Sequence, residues 1–186
     1  VTWSNGWSLE HEAKQREDLK IFIHKCHNNG IKVMAYIGAQ NIFWENMFVD
    51  FPISFDIAKK YPSGMPVTYW YSPYRFQARL DHPEWIKYQK KRVGLAIDAG
   101  IDAFFFDNPF SGREEPIEPA VYFFDEIQKF IKFEKKRPDI FISSNFGLSP
   151  KVQKMNQQFE FVFNEFGRQP GLYKGVWNCE NIKKVK

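Results

Sequence analysis

The sequence is poor in the residues that bind metals or staple a small fold. Its 186 residues include two cysteines, Cys26 and Cys179, and four histidines, His11, His24, His27 and His82. A chain of this length buries a sizeable core without help, so neither a disulfide framework nor a structural metal is required. His24 and His27 stand three apart on one predicted helix, but no carboxylate or third histidine is placed to complete a ligand set. A helix surface is the expectation there, and no metal or cofactor is called for. No apolar run approaches the roughly 18 residues of a membrane helix, and no signal peptide is visible, although an upstream segment would hide one and would imply a secreted or periplasmic protein. A strong charge of one sign is also missing: 26 basic against 22 acidic side chains leave a formal +4. The basic clusters Lys90-Lys91-Arg92 and Lys132-Phe133-Glu134-Lys135-Lys136-Arg137 fall within or at the ends of predicted helices. There a solvated outer face explains them better than a phosphate-binding stripe, so nucleic acid is not an expected partner.

What the sequence has is aromatic residues, 18% of the chain with 20 Phe, 8 Tyr and 6 Trp. Part of this is core. Those outside the strand patterns fit a surface for stacking flat apolar faces, and without a basic groove sugar rings are favoured over nucleobases. The chain alternates helix and strand signals. Ser8 is read as capping a charged helix over 8–29, with Leu19, Phe22, Ile23 and Cys26 on one face and Gly30 closing it. A mostly apolar run over 31–38 reads as a parallel strand covered on both sides. Residues 39–80 show no strong period and are read as one long aromatic loop punctuated by Pro52, Pro62, Pro66 and Pro73. A helix over 83–99, a strand over 102–107, a helix over 119–136, a strand over 140–145, a helix from Ser149-Pro150 and a strand over 159–165 follow. The segment 167–186 gives only loop signals.

This rhythm argues for a parallel sheet and a single α/β domain, a (β/α)8 TIM barrel. A complete barrel takes about 250 residues, so the chain is expected to hold part of one, a reading with which the abrupt start at Val1-Thr2-Trp3 agrees. In such a fold the carboxyl ends of the strands converge on one mouth. Those ends are Tyr36, Asp107 with Asn108, Asn145, and Asn164 with Glu165. Two carboxylates and several amides at one mouth are what glycosidic cleavage needs, one group attacking or stabilising the anomeric carbon and the other protonating the leaving oxygen.

The runs His27-Asn28-Asn29-Gly30-Ile31-Lys32-Val33-Met34-Ala35-Tyr36 and Ala99-Gly100-Ile101-Asp102-Ala103-Phe104-Phe105-Phe106-Asp107-Asn108 resemble the middle of TIM-barrel glycoside hydrolases of the α-L-fucosidase and α-galactosidase type, including hypothetical glycosyl hydrolases of that group. The resemblance covers roughly residues 30–165. It implies a retaining glycosidase with Asp107 as nucleophile and Glu165 as acid/base. A glutamate departs from the aspartate acid common in that layout, although the Asn164-Glu165 pair also resembles one used by another clan of retaining glycosidases; Glu45 is a reserve acid. Asp107 directly follows three phenylalanines, an expensive place for a charge unless it is used. Tyr36, Asn108, Asn145 and Asn164 are candidate substrate contacts, with barrel packing or a local turn as the plainer reading of Tyr36 and Asn145. Trp3, Trp7, Trp44, Trp70 and Tyr71 either line sugar subsites or pack in loops. Asp81, His82 and Glu84 are expected to serve the start of their helix. The expected partner is an oligo- or polysaccharide, and oligomeric state stays open. Two other readings compete: a carbohydrate-binding barrel without catalysis, and a barrel enzyme of another class, which needs a Schiff-base lysine or clustered histidines at strand ends, neither of which stands out.

Overall fold

The computed structural model describes residues 1–4, 6–50, 55–69, 72–109, 116–145 and 161–163. Five parallel strands form the main sheet in the order β1-β2-β6-β7-β8: β1 (Thr2–Ser4), β2 (Met34–Gly38), β6 (Ala103–Asp107), β7 (Phe141–Asn145) and β8 (Phe161–Phe163). Three helices are long enough to cover it: α1 (Ala13–Asn28), α3 (Pro83–Asp98) and α4 (Glu118–Lys129), the last running on through a π-helical turn at Phe130–Glu134.

The two helices that lead into β2 and β6 stop by the same device. Gly30 and Gly100 take φ of +71° and +95°, and the following amides, of Ile31 and Ile101, reach back to the carbonyls of Cys26 and Ala96 at 2.9 and 3.1 Å. Only glycine enters that left-handed turn at little cost, so these residues end the helices and aim the chain into a strand. α3 opens with Pro83 in its first turn, where a missing N–H costs nothing. Helix α1 begins at Ala13, later than the sequence pattern places it. Ser8 still makes a turn before it: its Oγ accepts from the His11 amide at 3.1 Å and its carbonyl from Glu12 at 3.1 Å.

The sheet has two unlike faces. Ala35, Ile37, Phe104, Phe106 and Ile142 are buried, and Phe106 meets Phe123 and Phe124 of α4 edge-on at 5.8 and 5.5 Å. Tyr36, Phe105, Asp107 and Asn145 alternate with them and are half-buried. Strand register (Tyr36↔Phe105, Gly38↔Asp107, Phe105↔Ser143) puts that second set on one face, since side chains two apart share a side.

Four sequence expectations change. Thr2–Ser4 is a fifth parallel strand and not a loop; three residues are too short a run to carry a period. The stretch 39–80 is not structureless. It holds a second, antiparallel sheet in the order β3-β5-β4, made of β3 (Asn41–Phe43), β4 (Thr68–Tyr69) and β5 (Ser72–Gln77), and a short helix α2 (Trp44–Val49). Pro73 hides β5 in the sequence, yet the paired positions are Ser72 and Arg75 to Gln77, so its missing N–H falls outside the register. In the basic cluster Lys90-Lys91-Arg92, Arg92 is no solvated side chain: it is 1% exposed and stands 3.7 Å from the equally buried Glu12. Phe22 departs from the α1 stripe in the other direction, at 48% exposed, while Ile23 carries the buried contact.

Candidate active site

Asp107 is the last residue of β6, and three neighbours hold its carboxylate. The Tyr36 hydroxyl donates to Oδ2 from the adjacent β2, Asn108 Nδ2 donates to Oδ2 at 2.5 Å, and Asn145 Nδ2 donates to Oδ1 at 2.5 Å from β7 on the other side. Asn145 also accepts from the Asn108 amide through Oδ1 at 2.9 Å. This closes a ring of polar groups around the strand end. Asn108 stands at φ +52°, a left-handed conformation that asparagine enters more readily than other side-chain-bearing residues and that backbone keeps chiefly where the surroundings enforce it. The turn folds the Asn108 side chain back onto Asp107 instead of letting the chain run straight on.

Burial lifts the Tyr36 hydroxyl far above the ordinary tyrosine range, and its hydrogen bond to Asp107 lifts it further. Tyr36 is therefore a neutral donor around neutral pH. Its ring stacks on Phe105 at 5.9 Å, which fixes the hydroxyl's reach. Just beyond β2, Gln40 donates to the Pro109 carbonyl at 2.5 Å and accepts from Lys59 Nζ at 3.3 Å, which ties the start of the hairpin layer to the loop after Asp107. Burial brings Lys59 down to about 8, against the opposing pull of Asp81.

The other expected site residues are spread more widely. Trp7 is half-buried in an aromatic stack, 3.9 Å from Phe43 and 4.6 Å from His11. Trp44 is 47% exposed and tilts against Phe76 at 5.8 Å. Trp3 does not line a subsite: it is 2% exposed, and its indole donates to the Arg92 carbonyl of α3 at 3.2 Å, which makes it core between sheet and helix. Glu45, the reserve acid, is spent on the loop after β1, accepting from both the amide of Ser8, at 2.9 Å, and its hydroxyl. His27 bonds Asp102 at 2.8 Å and His24 bonds Asn28 at 3.2 Å, separate partners and no shared site. Trp70, Tyr71, Asn164 and Glu165 lie outside the described residues, the last two directly after β8. Sequence reasoning missed Gln40, Lys59 and Arg75; the alternation that marks β5 was the available signal for Arg75, and Pro73 obscures it.

No protein-family model matches the sequence, and no curated protein registers as a match. Solved structures do match. A noncanonic maltogenic α-amylase from Thermotoga neapolitana aligns over 80% of the chain at 17% identity with a TM-score of 0.60, and 32% of its own length is covered. The type III pullulan hydrolase from Thermococcus kodakarensis aligns over 80% at 22% identity with a TM-score of 0.61, and 27% of it is covered. An α-galactosidase from Thermus thermophilus, in complex with stachyose, aligns over 67% at 11% identity with a TM-score of 0.53, again with 27% covered. The chain spans about a third or less of the length of each. What these likenesses show is the fold: the parallel sheet and its helices are part of a (β/α)8 barrel.

Proposed function

We propose that this chain forms the catalytic face of a glycoside hydrolase that cleaves an O-glycosidic bond in an oligo- or polysaccharide with retention. Asp107 attacks the anomeric carbon, and Glu165 protonates the leaving oxygen and then deprotonates the water. The observation that carries this reading is the grip on Asp107. A half-buried carboxylate at a barrel strand end is held at both oxygens by Tyr36, Asn108 and Asn145 from three different segments, which is the pre-organisation a nucleophile needs to meet carbon along a fixed line. The names of the matched structures, an α-amylase, a pullulan hydrolase and an α-galactosidase, support the reaction class. The fucosidase and galactosidase kinship remains part of the proposal, as does the role of Glu165, which follows β8 by two residues in the sequence.

The chemistry divides in two. Ionised Asp107 displaces the leaving alkoxide, which takes the Glu165 proton, and leaves a glycosyl ester on Asp107. Water, deprotonated by Glu165, then releases the sugar with its original configuration. Tyr36, Asn108 and Asn145 donate to the carboxylate before attack and loosen as its charge is spent. Retention calls for carboxyl groups about 5 to 5.5 Å apart. Screening aryl glycosides and oligosaccharides with NMR of the released anomer should show retention, and Asp107→Asn should cut turnover at least about 1,000-fold while the fold and sugar binding survive. Undiminished turnover in Asp107→Asn removes the reading, and binding without turnover in the parent protein replaces it with a carbohydrate-binding barrel.

A further inference from the structure

Arg75 sits on β5, opposite Phe43 of β3, in the hairpin layer that begins three residues past Gly38, the register partner of Asp107. Its guanidinium lies 5.2 Å from the centre of the Phe43 ring and 4.8 Å from that of Tyr69. Nε is sealed from solvent without a hydrogen-bond partner. Arg16 and Arg92 also hold sealed guanidinium nitrogens without partners, but they donate elsewhere to the carbonyls of Leu9 and Trp7, and Arg79 and Arg137 pair with Asp81 and Asp139. Arg75 alone among them is matched by rings and by no oxygen. An arginine is always charged and carries five donors in a rigid fork, so a half-buried one without an acceptor is a site with its acceptor still to come.

Among the described residues, the acids on neighbouring elements are engaged elsewhere. Glu45 accepts from Ser8, Asp50 from the Leu9 amide and Tyr88 hydroxyl, and Asp56 from Lys60. The Arg75 charge opposes, in part, the burial and the Asp107 bond that keep the proton on the Tyr36 hydroxyl. Tyr69, 2% exposed, backs the guanidinium from within, and the half-buried Phe43 supplies apolar surface beside the fork, a combination suited to a sugar ring bearing a carboxylate and wasted on a neutral one.

We propose that Arg75 recognises the carboxylate of a uronic acid residue in the substrate, and so sets the specificity of the site for acidic sugars. As a specificity this rests on the glycosidase reading, but the binding it predicts does not. Calorimetric titration of the whole chain with D-glucuronate and D-galacturonate, beside glucose and galactose, tests it, as does turnover of 4-nitrophenyl hexuronides against hexosides. The uronates should bind at least about tenfold tighter than the neutral sugars, both to the parent protein and to Asp107→Asn. Arg75→Gln should weaken uronate binding at least about 30-fold, as loss of one partner from a buried hydrogen-bonded charge pair does, and leave neutral sugars unchanged. Arg75→Lys, which keeps the charge and loses the fork, should fall between and serves if the glutamine variant melts too low to assay. Equal binding of acidic and neutral sugars, binding of neither, or uronate binding that survives Arg75→Gln overturns the proposal. Selective, Arg75-dependent uronate binding without turnover of any glycoside leaves the assignment of Arg75 standing and removes the hydrolase reading instead.

Discussion

At Asp107 the carboxylate accepts three hydrogen bonds, from one phenol and two amides, and each donor is placed by a different feature of the chain. Tyr36 is set by its strand and its stack on Phe105, Asn108 by a left-handed turn, Asn145 by register with the next strand. Of these the Tyr36 bond is the simplest to remove. Tyr36→Phe deletes one oxygen and keeps the ring, and a hydrogen bond to a charged group contributes about 1.5 to 3 kcal/mol. Steady-state kinetics should therefore show kcat down by roughly 10- to 100-fold with KM nearly unchanged, because the lost contact holds the nucleophile and not the sugar. Asp107 with Asn108, and Asn145, were legible as polar groups ending apolar runs; Tyr36, read as a strand end, lies inside β2, two residues before its last residue Gly38. That Asn108 and Asn145 turn towards Asp107 was not legible, because the direction of an amide at a strand end depends on its neighbours in space. Trp3 shows the opposite error: an indole in a glycine-flanked segment reads as a loop aromatic, yet β1 pairing carries it beneath α3.

Helix α3 is where an element's role turns on one buried charge. Arg92 donates to the Trp7 carbonyl and reaches Tyr88 Oη at 3.1 Å and Glu12 at 3.7 Å, while Glu12 accepts from Ser4 Oγ at 3.0 Å. It thereby fastens the α3 face to β1 and to the loop that leads towards the site. Arg92→Met should destabilise the fold by about 3 kcal/mol in denaturant unfolding, since it removes one of the two arginines beside the buried Glu12 carboxylate and leaves Arg16, at 3.8 Å, to balance it. Replacing Glu12 with Gln as well should recover part of that loss, and a double-mutant cycle measures the coupling. In the sequence Arg92 looked like its neighbours Lys90 and Lys91. A 3.6-residue period marks which face is apolar and cannot mark a cation that penetrates that face to meet an acid 80 positions earlier. The hairpin layer was illegible for a related reason: its strands are two to six residues long and their register is set by one another.

For the molecule as a whole, alkaline pH is the informative stress. Burial, with hydrogen bonds to Asp107 and Asp50 adding to it, raises both Tyr36 and Tyr88 well above the ordinary tyrosine value of 10.0. A group whose folded value is raised holds its proton more tightly in the native state. Its contribution is complete below the unfolded value and fades as pH climbs towards the folded one. Melting temperature should hold below about pH 9 and then fall above about 10. Tyr36→Phe should flatten part of that limb, as differential scanning at stepped pH would show. The sequence by itself determined the parallel α/β class, the helix stops at Gly30 and Gly100, and Asp107 as the charge at a strand end, because each follows from local period, local φ or a run of neighbours along the chain. The ring of donors around Asp107, the burial of Trp3 and Arg92, the hairpin layer and the position of Arg75 between two rings were decided only by tertiary structure. They depend on which distant segments share a space, and no local pattern carries that information.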